Sequence, residues 1–318
     1  MSRISFFAIA ALATLPVYGR VDRGDFTRWY EQRLRGPLQV SREQIQKARS
    51  FHYVLVKGFL GEVGGGYYAD NRNELQAWGV PNSHIDIVSP SSHRSFVDNL
   101  PLLTNKFGKH FVGDEKLVII AHSRGAVDTL AWALYNAGPI QKYVKDIFLL
   151  QGAFGGSGVA DYFAGCGHEV DSRMEKYTTL FPILRNIYYG YYLNLWLGTG
   201  LGSLRRDNSS RFWRQMLSRF QDQIPLIRDK IHFVTASISD PDRASFILRP
   251  TAWYLKTYYG PNDGLVAIDD QAIEEVGNIV LATEGDHADF SSPQPISGRP
   301  PIYRHAFTSA AVLGAVQP

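Results

Sequence analysis

The segment KLVIIAHSRGAVDTL, residues 116–130, combines two structural patterns around one serine. Its first half is a run of apolar residues that is typical of a buried strand. Its second half begins a helical pattern at once, so Ser123 lies at a sharp strand-to-helix turn. Either the Ser123 hydroxyl is displayed for chemistry, or this is an ordinary turn that contains a serine. The rest of the chain decides between these interpretations.

Further strand-like segments lie on both sides of this one. Six short apolar segments predict strands: HYVLVKG, HIDIVS, KLVIIAH, DIFLLQG, KIHFVTAS and NIVLATE. Helix-length segments separate most of them, including YYADNRNELQAW, GAVDTLAWALYNAG and SSRFWRQMLSRFQDQI. Uniformly apolar strands that alternate with helices indicate parallel strands covered on both faces. We therefore predict an α/β domain over residues 51–318, with a doubly wound, mostly parallel sheet.

The composition of the chain excludes several functional classes. Of its 318 residues, 45% are hydrophobic and 20% are charged, and the formal net charge is +3. This balance is typical of a folded globular protein and excludes a polytopic membrane protein. The weak, scattered charge and the lack of a zinc-finger or aromatic-basic motif argue against a nucleic-acid partner. A single cysteine, Cys166, excludes an internal disulfide bond.

The first residues, MSRISFFAIAALATLPVYGR, have the pattern of a secretory signal peptide. Arg3 precedes an apolar run over residues 4–15, and small residues follow as cleavage options. The run is shorter than the roughly 20 residues of a membrane-spanning helix. We predict a signal peptide over residues 1–19 and a secreted or periplasmic protein; a buried N-terminal helix or strand is the alternative.

Residues 20–50 predict an N-terminal helical extension. The segment DFTRWYEQRLRGP has a helical pattern, with Asp25 as the expected N-cap. Gly36 and Pro37 are expected to end this helix.

The connection between DIFLLQG and KIHFVTAS is much longer than the others. It has roughly 80 residues, whereas a crossover helix needs about a dozen. We predict a cap insertion over about residues 160–228 that acts as an apolar lid. Its centre, residues 177–203, is rich in Tyr, Phe and Trp and must bury itself against the domain, a lipid or a substrate. A cap that only extends the core is the alternative.

The pentapeptide AHSRG around Ser123 matches the nucleophile elbow of serine hydrolases. Small residues are needed two before and two after the serine, because the backbones approach closely there. Ala121 and Gly125 occupy these positions, with Ala121 in place of the usual glycine. A serine nucleophile also needs a histidine base and an acid that orients the base.

Few residues fit the roles of base and acid. The histidines after Ser123 are His168, His232, His287 and His305. We favour His287 over His305, because His287 directly follows the last strand, at the carboxyl edge where such sheets build their sites. For the acid, Asp240 follows the fifth strand and Asp263 lies in the turn GPNDGLV, and position alone leaves both open.

The glycine-rich segment VLVKGFLGEVGGG predicts a loop that helps to stabilise an oxyanion. Acyl transfer needs two donors, commonly a backbone N–H after the nucleophile and one from the loop after an earlier strand. Arg124 and Phe59 are the expected donors. A flexible glycine-rich turn is the alternative, and the spacing does not match a phosphate-binding loop.

Four segments resemble the bacterial triacylglycerol lipase family of α/β-hydrolases, with its inositol-deacylase-like relatives. VLVKGFLG is similar to the oxyanion loop, AHSRG to the elbow, GAFGGSGVAD to P-H-x-G-S-x-x-A-D, and NDGLV with DHADF to the acid and histidine loops. The resemblance implies the α/β-hydrolase fold, with Ser123 as nucleophile, His287 as base and Asp263 as acid. Lys57 replaces the usual histidine before the glycine, and GAF stands where Thr-Pro-His is common, which leaves substrate preference open.

The resemblance also implies a candidate structural calcium ion. Some members of the family bind calcium through an aspartate two residues after the histidine and another upstream of the acid. Asp289 matches the first position, and Asp240 or Asp242 matches the second. Calcium takes six or more oxygen ligands, so two carboxylates alone do not make a site. No other cofactor is expected.

Together these patterns predict an exported serine hydrolase that cleaves carboxylic esters of lipids. Its partner is a lipid or ester substrate, with transient contact to a membrane or lipid interface. A phospholipase or acyltransferase on the same fold, and a non-catalytic lipid-binding protein with this fold, are the alternatives. Arg124 and Lys57 either contact an anionic head group or face solvent.

Overall fold

The computed structural model describes residues 21–59, 61, 65–163, 198–293 and 296–317. The predicted signal peptide and residues 164–197, which contain most of the aromatic centre of the predicted cap, lie outside the described residues. No helix of the described part has the length and apolar character needed to cross a membrane.

Six strands form one sheet in the order β2-β1-β3-β4-β5-β6, and every neighbouring pair is parallel. The strands are β1 (Phe51–Val56), β2 (Ile85–Val88), β3 (Lys116–His122), β4 (Val144–Leu150), β5 (Ile231–Ser237) and β6 (Asn278–Glu284). Each of the six predicted segments forms a strand. The prediction of a parallel α/β sheet is therefore confirmed.

Helices cover both faces of this sheet. The α-helices of the described residues are α1 (Arg23–Arg35), α2 (Arg42–Arg49), α3 (Ala69–Ala77), α4 (Phe96–Gly108), α5 (Arg124–Tyr135), α6 (Ala137–Tyr143), α7 (Gly158–Phe163), α8 (Gly198–Ser203), α9 (Arg206–Arg219), α10 (Ile224–Ile227), α11 (Arg249–Tyr258) and α12 (Ile302–Val316). Alternate strand residues point to opposite faces, so two apolar cores result. One core includes residues of α4, α5 and α9, and the other includes residues of α1 and α12.

The described ends of the predicted cap belong to the core of the domain. Helices α8 to α10 lie within its predicted bounds, α7 crosses the first bound, and α9 buries Trp213 and Met216. Both side chains join the apolar core that contains α5. These described segments therefore pack into the core, and the function predicted for the cap as a lid stays a prediction.

The N-cap predicted for the first helix is wrong. Asp22 caps α1, because its carboxylate accepts hydrogen bonds from the backbone N–H groups of Gly24 and Asp25. Asp22 has the extended backbone that an N-cap requires, whereas Asp25 already lies in the first turn. There Asp25 forms an ion pair with Arg28. The predicted end at Gly36 is correct, since α1 ends one residue before it.

Candidate active site

Ser123 lies in a strained turn between β3 and α5. Its φ of 56° and ψ of -130° are rarely adopted by a residue with a side chain. Such strain persists only where the surrounding structure holds it. Here the Ser123 N–H donates a hydrogen bond of 2.8 Å to the carbonyl of Leu150 at the end of β4. The turn is therefore an elbow that displays the serine at the carboxyl edge of the sheet.

Gly125 is required by a close backbone approach. A Cβ at this position would lie 2.3 Å from the carbonyl oxygen of Lys57, the residue that follows β1. A real Cβ atom does not come so close to a backbone oxygen. The small residue two after the serine is thus needed for the contact between α5 and the loop after β1.

Three of the predicted residues are joined by hydrogen bonds. The Nε2 atom of His287 lies 2.8 Å from the Oγ atom of Ser123, and its Nδ1 atom lies 2.7 Å from Oδ2 of Asp263. A carboxylate only accepts hydrogen bonds, so Nδ1 carries the proton and donates it. Nε2 is then left to accept the hydroxyl proton of the serine. The structure therefore joins Ser123, His287 and Asp263 in the order that the sequence predicts for a nucleophile, a base and an orienting acid.

The Asp263 carboxylate is fully buried and is held by several donors. Its Oδ1 accepts the backbone N–H groups of Leu265, at 3.0 Å, and Val266, at 2.8 Å. Its Oδ2 also accepts the side-chain amide of Gln151 at 3.0 Å. The backbone N–H of His287 donates to the Asp263 carbonyl at 2.7 Å. These bonds stabilise the carboxylate and fix its orientation toward the imidazole.

The competing candidates lie elsewhere. The Asp240 side chain accepts the backbone N–H of Asp242 and begins a short 3-10 helix. The Nδ1 atom of His305 lies 3.7 Å from the carboxylate of Glu74. Neither residue takes part in the hydrogen bonds that join Ser123 to its partners.

The two segments predicted for oxyanion stabilisation lie next to Ser123. Arg124 directly follows the serine as the first residue of α5, and its guanidinium carbon lies 5.9 Å from the centre of the Phe59 ring. Gly58 approaches so closely that a Cβ there would lie 2.7 Å from the Cβ of Ser123. The loop after β1 and the start of α5 therefore flank the hydroxyl together.

The side chains of Arg124 and Lys57 already have hydrogen-bond partners within the chain. Arg124 is 2% exposed, and its Nη1 donates to the Ser92 carbonyl at 2.8 Å, while its Nη2 donates to the Arg94 carbonyl. Lys57 donates to the carbonyl of Gly61 at 3.1 Å. Arg124 thus ties α5 to the segment before α4, which excludes it as a head-group contact in this arrangement.

Comparison with known proteins agrees with this architecture. One similar solved structure is the metagenomic carboxyl esterase MGS0156, with a TM-score of 0.57, 20% sequence identity, and coverage of 88% of this chain and 76% of that chain. The chain has the α/β-hydrolase fold. At this identity the likeness shows the fold alone, and it confirms the fold implied by the sequence resemblance.

Two further structures are less similar to this hydrolase-fold chain. The mature lipase BlEst2 of Bacillus licheniformis gives a TM-score of 0.49 and 17% identity, covering 75% of this chain and 85% of that one. Lipase 1 of Pelosinus fermentans gives 0.47 and 13%, covering 82% of this chain and 98% of that one. We rest no conclusion on these two. No family model matches the chain, and no curated protein sequence does.

A second hydrogen-bond network of the hydrolase fold lies behind the first. The N–H of Gly58 donates to the Tyr67 hydroxyl at 3.0 Å, and that hydroxyl contacts Nδ1 of His122. The Nε2 atom of His122 lies 2.8 Å from the carbonyl of His287, to which it donates. The network therefore connects the loop of Phe59 to the loop of His287.

The protonation states of this network follow from burial. Burial, together with the neighbouring His287, holds the pKa of His122 well below 6.5, so the imidazole is neutral at pH 7. With its Nε2 proton donated to a carbonyl, Nδ1 accepts the hydroxyl proton of Tyr67. Burial raises the pKa of Tyr67 to about 12, so its hydroxyl stays protonated. The network has one consistent direction of donation from Gly58 to His122.

Sequence reasoning did not identify His122, Tyr67 or Gln151 as residues of the site. A histidine at the end of the apolar strand KLVIIAH was the available signal for His122. Tyr67 and Gln151 carry no local signal, because their partners lie 55 and 112 residues away along the chain.

An apolar cavity of about 290 Å³ opens at Ser123 and His287. It lies between the loop after β1, helices α7 and α8, and the turn that contains Asp263. The apolar residues of its lining include Phe59, Val159, Phe163, Leu201, Leu204, Leu248 and Leu265. A small number of polar groups beside an apolar chamber is the usual construction of a site for an apolar ligand.

The two aspartates predicted to bind calcium already have protein partners. Oδ2 of Asp289 lies 3.0 Å from the guanidinium of Arg299 and accepts the N–H of Asp286 at 2.7 Å. Oδ1 of Asp242 accepts the indole N–H of Trp253 at 3.0 Å. A guanidinium at Asp289 repels a cation, so these residues do not fit the ion as they are placed. Calcium binding stays an untested prediction.

Proposed function

We propose that the chain is a serine hydrolase that cleaves carboxylic esters of lipids. The observation that carries this proposal is the continuous hydrogen-bond chain from Asp263 through His287 to Ser123, at the opening of an apolar cavity. Neither a purely structural protein nor a binding protein needs a strained serine aligned with a base. The hydrolase fold makes ester hydrolysis more expected, but the argument for this function comes from the geometry of the site.

The mechanism follows from the positions of these atoms. Oγ of Ser123 attacks the ester carbonyl while Nε2 of His287 accepts the hydroxyl proton. The same nitrogen returns the proton to the leaving alcohol, which produces an acyl-enzyme. Water, with its proton taken by His287, then releases the carboxylic acid and restores the serine. Asp263 holds the imidazole in the required tautomer and stabilises its charged form.

The tetrahedral intermediates carry a negative oxygen that needs donors. We assign the backbone N–H groups of Phe59 and Arg124 to this role, since both segments flank Ser123. Donors fixed in a partly buried site stabilise the developing charge more than water does.

The cavity and its rim support a lipid as the source of the ester. The lining is mostly apolar and suits an acyl chain whose carbonyl lies at Ser123. Ile247 and Ile296 line the cavity and are 46% and 40% exposed, and the adjacent Phe246 is 58% exposed. Exposed apolar side chains grouped at the rim support transient contact with a lipid interface. Export of the protein is also part of this proposal and rests on its first residues alone.

The proposal is tested by Ser123→Ala, assayed on p-nitrophenyl esters of short and long acyl chains. We expect kcat/KM to fall by about 10⁵ to 10⁶ with Tm unchanged, because no other group can form the acyl-enzyme. A fluorophosphonate probe should label Ser123, as mapped by peptide mass spectrometry, and should not label the variant.

Ser157→Ala is the matched control for this test. Ser157 lines the same cavity, but its hydroxyl donates to the Leu265 carbonyl and to no histidine of the described residues. We expect this variant to keep its label and its turnover within a few fold. Turnover retained in Ser123→Ala, or labelling that follows Ser157, would refute the proposed mechanism.

A further inference from the structure

Three side chains with metal-ligand atoms converge at the edge of the sheet opposite Ser123. His52 is the second residue of β1, Asp86 lies in β2, and His110 follows α4. Oδ2 of Asp86 lies 3.2 Å from Nε2 of His52 and 2.9 Å from Nε2 of His110. Within the described part of the chain, no other group of three His, Cys, Asp or Glu ligand atoms is this compact.

The parallel register brings these residues to one face. Val54 of β1 is paired with Asp86 of β2, and His52 lies two residues before Val54, so the side chains of His52, Val54 and Asp86 share a face. Val54 contributes to the apolar core that includes α4, and the chain leaving α4 brings His110 to the same place. The rings of His52 and His110 lie with their centres 3.7 Å apart.

We propose that His52, Asp86 and His110 bind a divalent transition metal ion of the zinc type. Zinc takes bonds of about 2.0–2.2 Å to imidazole nitrogen and carboxylate oxygen, so tetrahedral ligand atoms lie about 3.3 Å apart. The observed separations of 3.2 and 2.9 Å are close to this value. A water molecule would complete the coordination, since the Asp86 side chain is 33% exposed and leaves an entry path.

Both imidazoles are largely buried, since the side chain of His52 is 8% exposed and that of His110 is 11% exposed. A third imidazole, His84, packs against His52 with ring centres 5.5 Å apart. Its buried Nδ1 has no hydrogen-bond partner among the described residues.

Lys109 distinguishes a metal site from a simple hydrogen-bond cluster. Its ammonium lies 2.8 Å from Oδ2 of Asp86, in the space beside the two imidazoles. The Lys109 side chain is 47% exposed, so it can turn into solvent when an ion enters. In a metal site Lys109 competes with the ion for Asp86. In a hydrogen-bond cluster it only stabilises the carboxylate.

The site lies too far from Ser123 to share in its chemistry. In the parallel register His52 is opposite Leu117 of β3, and Ser123 follows the other end of that strand. At about 3.3 Å per residue, the separation along the strand is roughly 20 Å. The ion would instead tie β1, β2 and the connection from α4 to β3 together, which increases stability.

The experiment uses the untagged full chain, stripped with a chelator and titrated with Zn²⁺ in a calorimeter. We expect one Zn²⁺ per chain and a higher Tm with Zn²⁺ than without. Asp86→Asn keeps the size of the side chain but removes its charge, and should weaken Zn²⁺ binding more than about 10-fold. Lys109→Ala should strengthen it, because the competing ammonium is gone.

His93→Ala is the control for adventitious binding, since His93 is exposed and lies outside the cluster. We expect it to bind Zn²⁺ as the unchanged chain does. The proposal is overturned if the chain binds no Zn²⁺, if Asp86→Asn binds it equally well, or if His93→Ala loses it. A weaker affinity in Lys109→Ala would also overturn it, because removing a competing ammonium cannot weaken binding of the ion.

Discussion

The carboxyl and amino edges of the sheet both carry polar clusters, but the clusters are built differently. At the carboxyl edge, Asp263 and His287 are buried, and two backbone N–H groups of its own turn and the side-chain amide of Gln151 hold the Asp263 carboxylate. At the amino edge, the contacts of Asp86 with His52 and His110 join side chains, and Asp86 is 33% exposed. The carboxyl edge is held by buried donors, whereas the carboxylate at the amino edge is partly open to solvent.

Backbone strain separates the two edges further. Three non-glycine residues of the described chain have a positive φ: Tyr68 at 65°, Ser123 at 56° and Gln151 at 45°. They lie in the segments that follow β1, β3 and β4, all at the carboxyl edge. Each such residue costs on the order of 1–3 kcal/mol. Part of the folding free energy therefore offsets backbone strain near the serine and its partners, which supports a catalytic function for this edge.

Among the changes that test the comparison of the two edges, Asp263→Asn should give the largest effect. Asparagine replaces one carboxylate oxygen with an amide nitrogen, which cannot accept hydrogen bonds. Either the N–H groups of Leu265 and Val266 then lose their acceptor, or His287 changes its tautomer. We expect kcat for ester hydrolysis to fall by about 10⁴. Asp240→Asn, at the rejected acid candidate, should stay within a few fold, and a comparable loss there would break the assignment of Asp263.

Gly125→Ala tests the close packing that supports the elbow. The added methyl would lie 2.3 Å from the Lys57 carbonyl, so the end of β1 must shift. We expect the free energy of unfolding, measured in urea, to fall by about 1–3 kcal/mol. Gly108→Ala, at the end of α4 with open space around it, should cost little or be slightly stabilising. Equal effects of the two would mean that the approach at Gly125 is not tight.

Tyr67→Phe tests whether the second network positions the site. The change leaves the N–H of Gly58 and Nδ1 of His122 without their shared partner. We expect kcat to fall about 10-fold, or about 1.4 kcal/mol in activation free energy, with KM little changed. Tyr68→Phe removes a similar buried hydroxyl, which donates to the Val56 carbonyl, and should keep kcat. A matching loss in Tyr68→Phe would indicate a general packing defect.

The pH dependence of the free energy of unfolding should show the smallest effect, and it reports on the protonation of His122. Because the pKa of His122 is well below 6.5 in the folded chain, the unfolded chain binds the proton first as the pH falls below about 6.5. The free energy of unfolding should therefore decrease there, by at most about 1.4 kcal/mol per pH unit from this group, and recover as the pH rises.

His122→Asn removes this contribution while keeping a neutral polar side chain. Urea unfolding at pH 7.5 and 5.5 should show a smaller difference for the variant than for the unchanged chain. The pKa values of His52 and His110 are also lowered, so the remaining difference reports partly on the amino edge. An identical difference in both proteins would show that His122 is not protonated on unfolding in this range.

The sequence by itself determined the strands, the parallel sheet and the elbow. These features depend on neighbouring residues, since an apolar run or a serine between small residues acts over a few positions. The pattern of KLVIIAHSRG therefore predicted both the end of β3 and the position of Ser123. The same local reasoning placed the N-cap at Asp25, because it did not detect that Asp22 adopts the extended cap conformation.

Only the tertiary structure decided which distant residues meet. It added Tyr67 and Gln151 to the site and buried the Arg124 side chain, whereas the resemblance of NDGLV had already implied Asp263 as the acid. It also placed His52, Asp86 and His110 together at the opposite edge. Parallel strands join segments that are far apart in the chain, and their register follows from packing of whole faces. No short pattern of residues contains that information.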